Sequence, residues 1–458
     1  MTSIVDRPAG PSAPAASAAP APAAETAAAA SAAASASASA SASASASASA
    51  SASAVAAAPA VTAAPATTAA PAITFPAVGE RELRLDLFRG LALWLIFIDH
   101  LPPNLLTWFT IRNYGFSDAT EIFIFISGYT AAFVYGRAMQ DAGFIVATAR
   151  ILRRVWQIYV AHVFLFTIFL AEISYVATSF ENPLYTEEMG IMDFLKQPDV
   201  TIVQALILRF RPVNMDVLPL YIVLMLFLPL ILWLMRWRPD VTLGLSVVLY
   251  ALTWELDLYL TAYPNGFWAF NPFAWQLLFV FGAWCALGGA QRMSRIINSP
   301  ITLGLCVAYL VAAFCVTLTW YIPQLGHLMP RRIEQWMYPI DKTDLDVLRF
   351  AHFLALAALT VHYLRKDWPL LKSPWLRPLI VCGQHSLEIF CLGVFLAFAG
   401  HFVLAEVSGG AMMHAVISLC GILIMWGVAS LISWYKREAD KGAARKGARS
   451  NADLAGGG

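Results

Sequence analysis

Long apolar segments separated by short charged loops are the feature of this sequence that most constrains its fold. Apolar residues make up 59 % of its 458 residues and charged residues only 13 %, whereas ordinary soluble domains are about 45–50 % apolar. A run of about 20 apolar residues crosses a bilayer as a helix, because lipid offers no hydrogen-bond partners to an open backbone. The sequence therefore predicts an all-α polytopic membrane bundle of about ten transmembrane helices in a lipid bilayer. The predicted spans are residues 85–106, 119–139, 155–178, 217–235, 241–260, 273–290, 301–320, 345–364, 379–403 and 412–434.

Basic residues are concentrated in alternate loops of this predicted bundle. They cluster at 81–84, 137–154, 236–238, 292–295 and 365–377 and in the C-terminal segment, whereas the intervening loops carry fewer. Basic loops are retained in the cytoplasm. The alternation therefore predicts that both the N-terminus and the C-terminus are cytoplasmic.

Composition divides the chain into three parts. Residues 1–79 are rich in Ala, Ser and Pro and lack large apolar groups, so we predict a disordered tail. Residues 80–435 form the predicted transmembrane domain, and 436–458 a basic cytoplasmic tail. The net charge of +1 gives no indication of nucleic-acid binding. The six cysteines lie in apolar runs without metal-ligand spacing, so the sequence predicts neither disulfides nor a metal site.

The first predicted span, LDLFRGLALWLIFIDHLPP, places ionisable groups inside a membrane helix. At 100° per residue, Asp86, Arg89 and His100 lie within about 60° of one another, and Leu93 and Ile96 fill the same stripe. Arg89 and His100 are about 16 Å apart along the axis. Intramembrane charges usually mark a site or a partner. The spacing fits a long substrate with its phosphate end at Arg89 and its reactive end near His100, where a neutral imidazole can deprotonate a hydroxyl.

A structural interpretation of the same residues stays open. Asp86 and Arg89 have the spacing of an ordinary ion pair on a helix. Arg89 can also extend to the lipid headgroups. Ser127, in the second span, is a conceivable nucleophile, but the Ser127–Gly128 pair is more typical of close helix packing.

Four segments resemble motifs of the acyltransferase-3 superfamily of membrane enzymes. They are Arg89 and His100 separated by ten residues, FIFISGY ending at Tyr129, the basic loop RILRRVWQIY beginning at Arg150, and GQHSLEIF beginning at Gly383. A closer resemblance is to the OpgC family, carried in order by RLDLFRGLAL, IRNYGFSDATEIFIFISGY, MDVLPLYIVLM, NPFAWQLLF and DVLRFAHFLALA. This resemblance covers essentially residues 80–435.

The resemblance to OpgC implies an O-acyltransferase that succinylates osmoregulated periplasmic glucans. The implied donor is a cytoplasmic acyl-CoA, succinyl-CoA, used as co-substrate without a bound cofactor. The acceptor is a hydroxyl of the periplasmic glucan, and the implied location is the bacterial inner membrane, as a multi-pass protein. His100 would act as general base or as a transient acyl carrier.

Further residues are candidates for contacts with the two substrates. Glu121 or Asp118 could orient His100, although Asp118 followed by Glu121 is also a helix-start pattern. Candidate donor-binding residues are Arg89, Asp86, Arg150, Arg153 and Arg154, of which the last three are equally explained by the positive-inside rule. Candidate acceptor-binding residues are Asp118, Asp216, Asn271, Trp275, Arg349 and His352; helix capping by Asp216 and Asn271 and an interfacial position for Trp275 are the structural alternatives.

A different class of function, a secondary transporter of a sugar or organic anion, also fits about ten helices with internal charges. Transporters often show repeated halves with broken helices. This sequence shows no convincing internal repeat, and its polar stripe is concentrated in one helix. The enzyme is therefore the favoured hypothesis.

Overall fold

The computed structural model describes residues 82–102, 105–180, 190–327 and 330–456, so the predicted disordered tail lies outside the described residues. This part of the chain is helical, and it contains no strand beyond an isolated bridge between Thr261 and Phe267. The helices are α1 (Leu83–His100), α2 (Ala119–Phe180), α3 (Met192–Lys196), α4 (Pro198–Leu206), α5 (Val217–Trp237), α6 (Pro239–Leu256), α7 (Pro272–Trp284), α8 (Ala290–Ile297), α9 (Pro300–Tyr321), α10 (Pro323–Gly326), α11 (Arg331–Met337), α12 (Val347–Tyr363), α13 (Arg377–Gln384), α14 (Ser386–Glu406) and α15 (Ala411–Gly456).

The described residues include six helices that are long and apolar enough to cross a membrane. They are α2, α5, α7 with its continuation through a π-helical turn into α8, α9, α14 and α15. The chain is therefore a helical membrane protein. The count of ten spans and the cytoplasmic location of both termini stay predictions.

Three predicted boundaries are wrong. The first span does not reach residue 106, because α1 ends at His100 and Leu101 is extended before Pro102, as expected for a residue preceding proline. The predicted span 379–403 is divided at His385 into α13 and α14. The basic segment at 150–154 is not a loop: it lies in α2, whose helical geometry is interrupted only at Gly143.

The first helix packs against α2, α13 and α14. Its contact with α13 is a backbone contact made through glycines. A Cβ atom at Gly90 would lie 1.8 Å from the carbonyl oxygen of Leu379, and one at Gly383 would lie 1.9 Å from the carbonyl oxygen of Asp86. These two glycines therefore bring the backbones of α1 and α13 into direct contact.

Candidate functional site

Arg89 lines a cavity between α1, α2, α5 and α14. Its side chain is 13 % exposed, and its Nη2 donates to Thr130 Oγ1 at 2.6 Å. Its Nη1 lies 4.0 Å from Asp86 Oδ1, so the predicted i, i+3 ion pair is present. The cavity, which we call the Arg89 cavity, has a volume of about 140 Å³. Its lining consists of Arg89, Phe123, Ser127, Thr130, Ala131, Val134, Tyr135, Arg154, Leu218, Tyr221, Ser386, Leu387 and Phe390.

A second guanidinium lines the same cavity. Arg154 comes from the second half of α2, and its one described hydrogen bond is to Gln157 Oε1 at 3.3 Å. Arg150 and Arg153, predicted to act with it, are exposed and are not among the residues that line the cavity. Of the three arginines of α2 that were predicted to bind the donor, Arg154 is therefore the one that lines the cavity.

Ser127 and Gly128 have separate roles in this structure. A Cβ atom at Gly128 would lie 2.1 Å from the carbonyl oxygen of Phe279, so Gly128 provides the close packing of α2 on α7. Ser127 is 4 % exposed, and its side chain lines the Arg89 cavity. The packing prediction holds for the glycine, and the serine faces the space beside Arg89.

His100 lines a second, smaller cavity of about 10 Å³, the His100 cavity. Ile96 and Leu93 line it from one turn and two turns below, which is the stripe that the helical spacing predicts. Nδ1 of His100 lies 2.5 Å from the carbonyl oxygen of Ile96. Because a carbonyl oxygen only accepts, Nδ1 carries the proton, and Nε2 of the neutral ring has a free lone pair. This nitrogen can accept a proton or an acyl group.

The two cavities meet at one side chain. Phe390 of α14 lines both, and it is the residue that they share in the described part of the chain. The remaining lining of the His100 cavity comes from Phe97 and from Ile389, Gly393 and Val394 of α14. Arg89 and His100, on one helix, therefore line two neighbouring cavities that have the Phe390 ring in common.

Beyond His100, four charged side chains form what we call the ion cluster: Asp118, Glu121, Lys342 and Arg349. Arg349 Nη2 lies 2.6 Å from Glu121 Oε1 and 3.1 Å from Asp118 Oδ2. Lys342 Nζ lies 2.6 Å from the same Asp118 oxygen. Burial alone would raise the pKa of Asp118, but Lys342 and Arg349 together hold it well below its usual range. The cluster ties the start of α2 to α12 and to the segment that precedes it.

The predicted hydrogen bond from Glu121 or Asp118 to His100 is not formed. Glu121 Oε1 accepts from Arg349, and Glu121 Oε2 accepts from the Asp118 backbone N–H at 2.9 Å. Asp118 Oδ1 accepts from the Thr120 N–H at 2.8 Å, which completes the helix-start pattern. The group that orients the imidazole is the Ile96 carbonyl, one helical turn away on the same helix.

Two predicted acceptor-binding residues are occupied by contacts within the protein. Asp216 Oδ1 accepts from Arg211 Nε at 2.8 Å and does not cap α5. His352 is buried, and its Nδ1 accepts from the Ser117 N–H at 3.3 Å. These two side chains are held by ordinary structural contacts.

Asn271 and Trp275 are also held inside the protein. Asn271 caps α7 by accepting from the Phe273 N–H at 3.1 Å, and it donates to Asp344 Oδ1 at 2.8 Å. Trp275 is completely buried, and its Nε1 donates to the carbonyl oxygens of Lys342 and Thr343. Its ring therefore has no face open to a sugar and does not lie at a lipid interface.

Sequence reasoning missed three residues of this site. Thr130 directly follows the FIFISGY segment, and its hydroxyl holds Arg89. Lys342 lies in one of the predicted loops that carry fewer basic residues, and it completes the ion cluster. Phe390 ends the GQHSLEIF segment, but no sequence signal shows that its ring lies between two cavities.

The fold and the site define a helical membrane protein in which a guanidinium and an imidazole of one helix line two cavities that share a side chain. The family model described as OpgC protein matches residues 81–437, so the chain belongs to the OpgC family. This membership supports an OpgC-type function in a membrane transferase. Searches of curated proteins and of solved structures give no match.

Proposed function

We propose that this protein transfers an acyl group, succinyl, from a cytoplasmic acyl-CoA to hydroxyl groups of periplasmic glucans in the bacterial inner membrane. Family membership supports the reaction class. The observation that carries the proposal is that Arg89 and His100, on one helix, line two cavities that share Phe390. Such an arrangement suits a donor that enters from one side of the membrane and an acceptor that approaches from the other.

In this proposal the Arg89 cavity binds the anionic end of the donor. Guanidinium groups form charge-assisted hydrogen bonds with phosphate oxygens. Arg89 and Arg154 line this cavity from two helices. Thr130 accepts the hydrogen bond that fixes the Arg89 side chain. Phosphate groups held here would direct the thioester end of the donor along α1 toward His100.

His100 supplies the acid–base chemistry. Its Nε2 takes the proton of the glucan hydroxyl as the hydroxyl oxygen attacks the thioester carbonyl carbon. The tetrahedral intermediate then collapses, the C–S bond breaks, and the imidazolium returns the proton to the leaving thiolate. The products are a glucan ester and free CoA thiol. In the alternative route Nε2 attacks the thioester carbonyl carbon, and the C–S bond breaks to release CoA thiolate. The glucan hydroxyl oxygen then attacks the acyl carbon, the C–N bond breaks to free the imidazole, and the hydroxyl proton neutralises the thiolate. Both routes use the same lone pair.

The test is the succinate content of glucans made by cells that carry His100→Ala as their only copy of the protein. A positioned acid–base group contributes about 10²- to 10⁴-fold to a rate. We therefore expect succinylation to fall at least about 100-fold. His162→Ala is the matched control, because His162 is a buried histidine of α2 that lines neither cavity. Wild-type succinylation in the His100→Ala strain would exclude the assigned role of His100.

A second experiment distinguishes an enzyme from a transporter. Purified protein in detergent is given succinyl-CoA and glucan, and free CoA thiol is measured. Glucan-dependent release supports acyl transfer. No release, combined with uptake of sugar or succinate by vesicles that contain the protein, would support transport instead.

A further inference from the structure

Phe390 is the residue that the linings of the Arg89 cavity and the His100 cavity have in common. Phe390 is 3 % exposed, and its ring packs on Phe123 with ring centroids 5.8 Å apart and planes inclined by 29°. Phe123 itself lines the Arg89 cavity. A molecule that occupies both cavities therefore contacts the Phe390 ring.

The space on the far side of this ring is small. The His100 cavity, at about 10 Å³, has room for about one water molecule. Apart from His100, every side chain around it is apolar, and Gly393 adds only backbone. A four-carbon dicarboxylic acyl chain exceeds this volume. The length of the acyl chain that can reach His100 therefore depends on how much room the Phe390 ring leaves when it moves.

We propose that Phe390 is a specificity-determining residue that sets the length of the acyl group delivered to His100. This inference rests on the proposed acyl transfer and adds a structural basis for donor selection to it. The Phe390 ring excludes acyl chains that are too long to fit between it and the imidazole. Its contact with Phe123 keeps the ring in place when no donor is bound.

A second residue of α14 allows the His100 cavity to be made smaller, whereas a smaller side chain at Phe390 makes it larger. Gly393 lines the His100 cavity one turn beyond Phe390. A Cβ atom at Gly393 would meet Met425 Cε at 3.5 Å and Phe97 Cβ at 3.9 Å, which are ordinary van der Waals contacts. Gly393→Ala should therefore fold normally while it narrows the space beside His100.

The experiment is a competition in one reaction. Purified full-length protein receives glucan and an equimolar mixture of acetyl-CoA, succinyl-CoA, glutaryl-CoA and adipyl-CoA, and the glucan esters are quantified by mass spectrometry. Ratios of products do not depend on how much of a variant is active. One methylene in an apolar site changes selectivity by about 10- to 200-fold. We expect Phe390→Leu to raise the adipyl-to-succinyl ratio at least about 10-fold, and Gly393→Ala to raise the acetyl-to-succinyl ratio.

Phe398→Leu is the matched control. Phe398 is as buried as Phe390 and lies on the same helix two turns further on, but it packs on Phe169 and lines neither cavity. Its product ratios should equal those of the wild type. Unchanged ratios in both Phe390→Leu and Gly393→Ala would overturn the inference, and if Phe390→Leu yields no folded protein, Gly393→Ala decides alone. A wild-type protein that forms no ester would overturn the proposed function instead.

Discussion

The cations of the ion cluster and the cations of the Arg89 cavity lie in different surroundings. Beyond His100, Arg349 and Lys342 face Asp118 and Glu121, so two positive and two negative charges lie in direct contact. Glu121 is completely buried. The hydrogen bond between Arg349 and Glu121 connects segments that are 228 residues apart in the chain.

At the other end, the guanidiniums of Arg89 and Arg154 line open space. Hydroxyl groups of Thr130 and Ser386 face the same cavity, and Asp86 is 4.0 Å from Arg89. A buried charge that is already neutralised by a contacting partner serves the fold, and removing one partner is strongly destabilising. A cation beside a cavity can instead be neutralised by a ligand. The comparison therefore favours a structural role for the ion cluster and supports the proposal that the Arg89 cavity binds the donor.

The largest effect is expected at the ion cluster. Arg349→Ala leaves the buried Glu121 carboxylate without its partner, and breaking a buried pair in this way costs about 3–5 kcal/mol of unfolding free energy. The measurement is thermal unfolding in detergent, together with the yield of monodisperse protein. The double variant Arg349→Ala with Glu121→Gln should recover much of the loss, because Glu121 no longer carries a buried charge and Asp118 keeps its pair with Lys342. An Arg349→Ala protein as stable as the wild type would contradict the structural assignment.

An intermediate effect, on activity and not on stability, is expected at the Arg89 cavity. Arg154→Ala removes one guanidinium from the donor site. We expect KM for the acyl-CoA to rise about 10-fold, equivalent to about 1.4 kcal/mol, with an unchanged unfolding temperature. Arg153→Ala is the control, since Arg153 is one residue away, exposed and outside the cavity. Equal changes in KM for the two variants would mean that only the general positive charge of this segment matters.

The smallest effect is expected for Lys342→Met. Lys342 is 43 % exposed, so its ion pair with Asp118 is screened by solvent and contributes at most about 1 kcal/mol. Asp118 has a lowered pKa, so its stabilisation is complete above the pKa of the unfolded chain and is lost as pH falls through the lowered folded value. The difference in unfolding temperature between wild type and variant should therefore be largest at neutral pH and shrink on acidification. A difference that grows with acid would contradict the pairing.

Local features of the site could be predicted from the sequence. The spacing of Arg89, Leu93, Ile96 and His100 predicts one helical stripe, and the two cavities lie along it. The order Asp118 then Glu121 predicts a capped helix start, which the hydrogen bonds confirm. Both depend only on geometry within a few residues of the chain.

Contacts between distant segments could not be predicted in the same way. The sequence predicts that Glu121 could form a hydrogen bond with His100. Only the packing of α12 beside α2 shows that Glu121 forms an ion pair with Arg349 instead. Trp275 was predicted to meet a sugar or a lipid interface, but burial against 342–343 removes both possibilities. Arg150, Arg153 and Arg154 are the same residue type in one short segment, so the sequence does not distinguish them. Only the packing of the helices shows that Arg154 lines the cavity with residues of α14.

The sequence alone is sufficient to identify this chain as a helical membrane protein of the OpgC family with an arginine and a histidine on one face of its first helix. Hydrophobic periodicity and helical geometry are local properties, so they can be deduced from neighbouring residues. The three-dimensional packing was needed to show which charges neutralise one another, which guanidiniums line a cavity, and that Phe390 lines both cavities. These depend on side-chain packing between helices far apart in the chain, which no local pattern encodes.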